Sequence, residues 1–158
     1  MPIDIKKVTG RRSLRFNSLD AIVADLDALE GKPLRSLGNW SVGQNLQHLA
    51  IVMNGAIDGL RFRAPWYIRA LVGLFKRRML TKPMPAGFQL PKAAAAVMVP
   101  GAVGEAEGFA ALRGALGRLR AEMHREPSPV LGQLTIEEWN QLQCRHCELH
   151  LSFIVLQA

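Results

Sequence analysis

Apolar and polar positions along the chain recur with a helical period, and no segment alternates between them over a useful length. Helices are expected at about 18 to 30, 42 to 60, 66 to 79, 105 to 124 and 136 to 155, with ends uncertain by about 2 to 4 residues. Two starts are marked in the sequence. Ser41-Val42-Gly43-Gln44 and Thr135-Ile136-Glu137-Glu138 fit S/T-x-x-E/Q, in which hydroxyl and long side chain each satisfy a first-turn N–H. Pro65 stands where a first-turn proline is tolerated. The stretch Thr81 to Gly104 is punctuated by Pro83, Pro85, Pro91, Pro100 and Gly101, which reads as a long connection. The pattern predicts an all-α protein, a four-helix bundle whose long crossover carries an extra short helix, Trp66 to Met79.

Composition narrows this picture without changing it. A chain of 158 residues, 49% hydrophobic, suffices for one core, so a single domain over 1–158 is expected, with 1–16 as a basic N-terminal arm. Two cysteines, Cys144 and Cys147, are too few for a secreted disulfide framework and point to a reducing, cytoplasmic setting. The run Gly10-Arg11-Arg12-Ser13 has a twin-arginine look, but Asp20, Asp25, Asp27 and Glu30 stand where an export signal needs an apolar region. The longest uncharged stretch, Ser36 to Ile57, is interrupted by Asn39, Gln44, Asn45, Gln47, His48 and Asn54, so no transmembrane segment is expected.

The candidate chemistry lies in the histidines. Projected as a helix, Trp139, Leu142, His146, Leu149, His150 and Phe153 fall in one sector of about 100°, with Gln141, Arg145, Glu148 and Ser152 opposite. H-x-x-x-H sets two imidazoles one turn apart on the inward face, a spacing at which both nitrogens can reach one ion. A third, His48, borders the apolar face formed by Val42, Leu46, Leu49, Met53 and Leu60, with Gly55 and Gly59 expected to leave room above it. Taken alone, an inward histidine is more often a hydrogen-bonded core residue than a ligand. His124, beside Arg120 and Arg125, suits the negative end of a helix and reads as a surface residue. Cys144 and Cys147 sit mid-helix, without the helix N-terminus that would stabilise a thiolate, and read as packing residues, Cys147 bordering the site.

Trp40-Ser41-Val42-Gly43-Gln44 followed by His48, a long crossover, and a last helix with His146 and His150 resemble the DinB-like superfamily of metal-binding four-helix bundles. The segments GNWSVGQNLQHLA, APWYIR, PMPAGF and EEWNQLQCRHCELHLSF resemble the domain of unknown function 1569. The resemblance runs from about Arg11 to Phe153. It implies His48, His146 and His150 as ligands of a divalent metal, with zinc or nickel as the ions best suited to imidazole. It also implies a low-molecular-weight thiol that would be transferred to, or used on, a small-molecule electrophile. The alternatives are a non-catalytic metal-binding or scaffold domain and, behind it, a metal-dependent hydrolase.

The net charge of +7 is spread over several groups, from Lys6, Lys7, Arg11, Arg12 and Arg15 to Arg113, Arg118, Arg120 and Arg125. It comes with no nucleic-acid-binding motif and few aromatics, so nucleic acid is not an expected partner. The segment Trp66 to Arg78 has the aromatic and basic makeup of an interfacial helix. The favoured expectation is a lid over the bundle mouth or a subunit contact in a homodimer, ahead of weak contact with a membrane surface.

Overall fold

The structure, a computed structural model, describes residues 2–88 and 91–157; Gln89 and Leu90 of the expected long connection lie outside it. Four longer helices share one core: α1 (Leu19–Leu29), α2 (Val42–Asp58), α6 (Glu105–Ala121) and α7 (Ile136–Leu151). Three short helices, α3 (Trp66–Gly73), α4 (Lys76–Thr81) and α5 (Lys92–Met98), occupy the crossover between α2 and α6. Both anticipated capping boxes form, with Ser41 and Gln44 opening α2 and Thr135 and Glu138 opening α7. The core is a continuous cluster that runs from Ile22 and Leu26 through Leu46, Leu49 and Met53 to Leu112, Leu116, Trp139 and Leu151. Among the described residues no helix is long and apolar enough to cross a membrane.

The tightest approach is between α2 and α6, and glycine permits it. A Cβ on Gly108 would lie 2.8 Å from the Gly43 carbonyl oxygen, and one on Gly43 would collide with the backbone of Val103 and Gly104. This contact fixes the half of α2 that carries Asn45 and His48.

Several boundaries differ from the periodic reading. The last helix stops at Leu151 rather than near 155, and Ile154–Leu156 (β2) pairs antiparallel with Leu34–Ser36 (β1), Leu34 opposite Leu156 and Ser36 opposite Ile154. Three-residue strands are too short to show alternation, and their partner is more than 110 residues away in sequence. The pairing places the end of α7 beside the start of α2. The expected helix Trp66 to Met79 breaks in two: Leu74 and Phe75 donate to carbonyls three residues back, Leu71 and Val72, just after Gly73. The connection beyond it contains α5, and α6 ends at Ala121, so His124 lies outside a helix and is exposed.

The face of α7 opposite the histidines is also buried. Arg145 and Glu148 are 4% and 6% exposed, and form a 2.6 Å pair. Glu148 Oε1 also accepts the Phe16 N–H at 2.6 Å, and Arg145 donates to the Phe16 carbonyl. The N-terminal arm covers this face. Arg11 donates to Ser152 Oγ at 2.7 Å and stacks 4.0 Å over the Phe153 ring. Arg12 grips Asp25 bidentately at 2.6 and 2.8 Å and donates to the carbonyls of Leu151 and Ile154. Two guanidiniums thereby cap the negative end of α7.

Candidate metal centre

His48 comes from the middle of α2, and His146 and His150 from the last two turns of α7. Their ring centroids lie 4.5 to 5.0 Å apart, and one ring nitrogen from each falls within 4.8 Å of the other two. His48 Nε2 and His146 Nε2 are 3.1 Å apart. Two imidazoles on a tetrahedral ion at about 2.0 to 2.1 Å have nitrogens roughly 3.3 Å from each other, so this pair already stands near ligating separation. His48 is buried, while His146 and His150 are half-buried rather than sealed in the core.

Two of the three histidines have the nitrogen that faces away from the cluster held. His48 Nδ1 lies 2.7 Å from the Met98 carbonyl oxygen, which can only accept, so Nδ1 carries the proton and Nε2 presents its lone pair. His150 Nδ1 lies 3.2 Å from Asn45 Oδ1. Asn45 is itself oriented, its Nδ2 donating to the carbonyls of Ser41 at 2.9 Å and Trp40 at 3.3 Å. A carbonyl or carboxamide behind each imidazole is the arrangement that fixes ring and tautomer in histidine metal sites. Trp40 closes one side, stacked on His150 at 5.5 Å and tilted on His48 at 4.9 Å.

Burial holds all three histidines below the usual imidazole range. His48 is lowered by desolvation against the opposing bond to Met98. His146 is brought to about 3 by desolvation and by His48, and His150 is lowered by desolvation, by both neighbours and by Arg11. At neutral pH the cluster is therefore three neutral imidazoles, the form that ligates.

The sequence reading named these three positions but misplaced some of their surroundings. Gly55 and Gly59 do line a cavity, but His48 is not part of its wall; Leu60 packs where a Gly55 side chain would lie, and Gly59 caps α2 at φ +82°. Cys147 is fully buried beside Cys144, Glu148 and Asp25 and is not one of the converging nitrogen donors. Burial raises both thiols above their ordinary value, so neither is a ready thiolate. Asn45 and the Met98 carbonyl were missed. The spacing Asn45-x-x-His48 was a usable signal for the first, whereas a carbonyl contributed by the crossover leaves no trace in residue type.

None of the three histidines lines the cavity of about 240 Å³ that lies a turn beyond His48, between Ile51, Gly55, Leu60 and Val97. A second cavity, about 200 Å³, lies on the arm side of α7 against Arg11, Glu148 and Ser152. The histidine cluster is compact, with its His146 and His150 edge half-buried.

In comparison with known proteins, a family model described as a protein of unknown function (DUF1569) matches residues 8–157. No curated protein and no solved structure matches the chain.

Proposed function

Starting from a chain that belongs to the DUF1569 family, we propose that it is a divalent-metal protein built as a DinB-like four-helix bundle, with His48, His146 and His150 as ligands. One observation carries the reading: three neutral imidazoles converge, and two have their outer nitrogens occupied by a carbonyl and a carboxamide. The donor set is all nitrogen, which suits zinc or nickel rather than calcium or magnesium. When bound, such an ion supplies Lewis acidity and an open position that lowers the pKa of an entering thiol or water. The chain's part is to keep the three nitrogens unprotonated, to fix their direction through Met98 and Asn45, and to shield one side with Trp40.

The reaction we favour is use of a low-molecular-weight thiol on an electrophilic small molecule. The resemblance to DinB-like proteins supports it, and so does the half-exposed edge at His146 and His150. A second reading, a non-catalytic ion that ties α2 to α7, is favoured by the absence of the histidines from the two cavities described. Hydrolysis ranks below both, because Glu148, on the same helix, is engaged by Arg145 and the Phe16 N–H and does not serve as a base at the cluster.

Metal analysis of tag-free protein purified without chelator tests the ligand set. About one divalent ion per chain is expected, lost in His48→Ala, His146→Ala or His150→Ala and retained in Cys144→Ser and Cys147→Ser. Retention in the histidine variants overturns the assignment. Cobalt-substituted protein then separates the two readings: a sulfur-to-metal charge-transfer band on adding thiol supports thiol chemistry. No band with any of several biological thiols, together with a large loss of thermal stability on chelation, supports the structural ion.

A further inference from the structure

Residues 59–104 hold eight of the chain's 20 Lys and Arg and none of its 13 Asp and Glu, so the rest of the chain is net −1. The whole positive excess therefore resides in the crossover. The same stretch contains the most exposed apolar surface. Trp66, Tyr67, Ile68, Leu71, Leu74 and Phe75 are all exposed, Trp66 by 78% and Leu74 by 81%, and α3 buries none of its residues. α3 thus turns its large apolar side chains outward, and only Arg69 and Val72 in it are half-buried. Large apolar side chains clustered in this way mark a surface that meets something.

The segment is nevertheless held in place. Lys76 Nζ bonds Glu138 Oε1 at 2.7 Å at the capped start of α7, and Leu80 is buried. Arg61, Arg63, Arg77, Arg78 and Lys82 are exposed around it.

We propose that α3 and α4 form an interfacial anchor that seats this protein on an anionic phospholipid surface. Trp and Tyr are the residues that settle at the headgroup level, and Leu71, Leu74 and Phe75 supply apolar area for the acyl boundary. The surrounding cations complement the negative surface potential. A second copy of this face would set Arg61, Arg63, Arg77, Arg78 and Lys82 against the same five cations, so self-association through it is opposed. Nucleic acid would use the cations but leave Ile68, Leu71 and Leu74 against phosphate. Of the three, the anionic bilayer matches both the apolar and the cationic halves.

The test uses the full chain and vesicles of phosphatidylcholine, alone or mixed with phosphatidylglycerol, at low salt. Co-sedimentation is expected with the mixed vesicles and not with phosphatidylcholine alone, falling as salt rises. Trp139 is buried and Trp40 is covered by the histidines, so Trp66 is the fluorophore that reports. Its emission should shift to the blue on binding, and Trp66→Phe should abolish the shift while sedimentation persists. Leu74→Ser with Phe75→Ser should abolish sedimentation. Arg77→Ser with Arg78→Ser should reduce it by roughly fivefold for each charge removed. These residues are exposed, so circular dichroism should be unchanged. No binding to the mixed vesicles overturns the proposal. So does a dimer that Leu74→Ser with Phe75→Ser dissociates, or nucleic-acid binding that Arg77→Ser with Arg78→Ser removes and the apolar pair leaves intact.

Discussion

Asn45 is 3% exposed, spends its donors on the carbonyls of Ser41 and Trp40, and presents Oδ1 to His150. Asn45→Leu should weaken metal binding about 10- to 100-fold, the usual effect of losing a partner behind a ligand, as read by competition with a chromophoric chelator. The histidines also make the metal-free protein sensitive to acid. Their folded pKa values lie below the unfolded value of about 6.5, so the unfolded chain binds more protons in the interval between. Stability is full above about pH 6.5 and falls as pH drops toward about 3, the folded value of His146. The slope reaches about 1.4 kcal/mol per pH unit for each histidine. Thermal melts in chelator between neutral and acid pH should show this decline, and His146→Leu should flatten it. Glu148 neutralises a buried cation, so Glu148→Ala should cost about 3 to 5 kcal/mol in urea unfolding by leaving Arg145 unpaired.

Helix α6 contains glycines of opposite character. Gly108 lies against Gly43, whereas a Cβ on Gly117, exposed in the helix interior, meets nothing within 4 Å. Gly117→Ala should stabilise the protein by about 0.8 to 1 kcal/mol through helix propensity alone. Gly108→Ala should destabilise it, because the neighbouring atom is backbone that cannot swing aside. Opposite shifts in the urea midpoint at unchanged slope would establish that the close α2–α6 approach is required. The capping boxes of α2 and α7 were readable because they depend on four consecutive residues. The break between α3 and α4 was not, since Leu74 and Phe75 tighten to three-residue hydrogen bonds within an otherwise continuous helical pattern, and Lys76 beyond it pairs with Glu138 across the fold.

For the molecule as a whole, an ion shared by α2 and α7 would couple binding to global stability. A metal present at 100 times its dissociation constant should add about 2.7 kcal/mol, seen as a melting transition that rises with free metal and returns on chelation. The same melt in His150→Ala should not respond. The anchor proposed on α3 and α4 is expected to stand apart from this coupling, because Trp66, Leu74 and Phe75 are exposed and are not part of the histidine cluster.

The mainly helical class, the two helix starts and the pairing of His146 with His150 were legible in the chain, because a 3.6-residue period, a cap and an i, i+4 pair are local, whereas His48 was joined to them by family resemblance. Everything that joins distant segments required the folded state. The β1–β2 pairing, the guanidiniums of Arg11 and Arg12 on the end of α7, and the burial of Arg145 with Glu148 each link residues more than a hundred positions apart or turn a polar face inward. The Met98 carbonyl behind His48 belongs with them, since every residue carries a carbonyl and only the path of the crossover decides which one arrives. A polar face reads as solvent-facing until another segment covers it, and a single chain's periodicity records the face but not the cover.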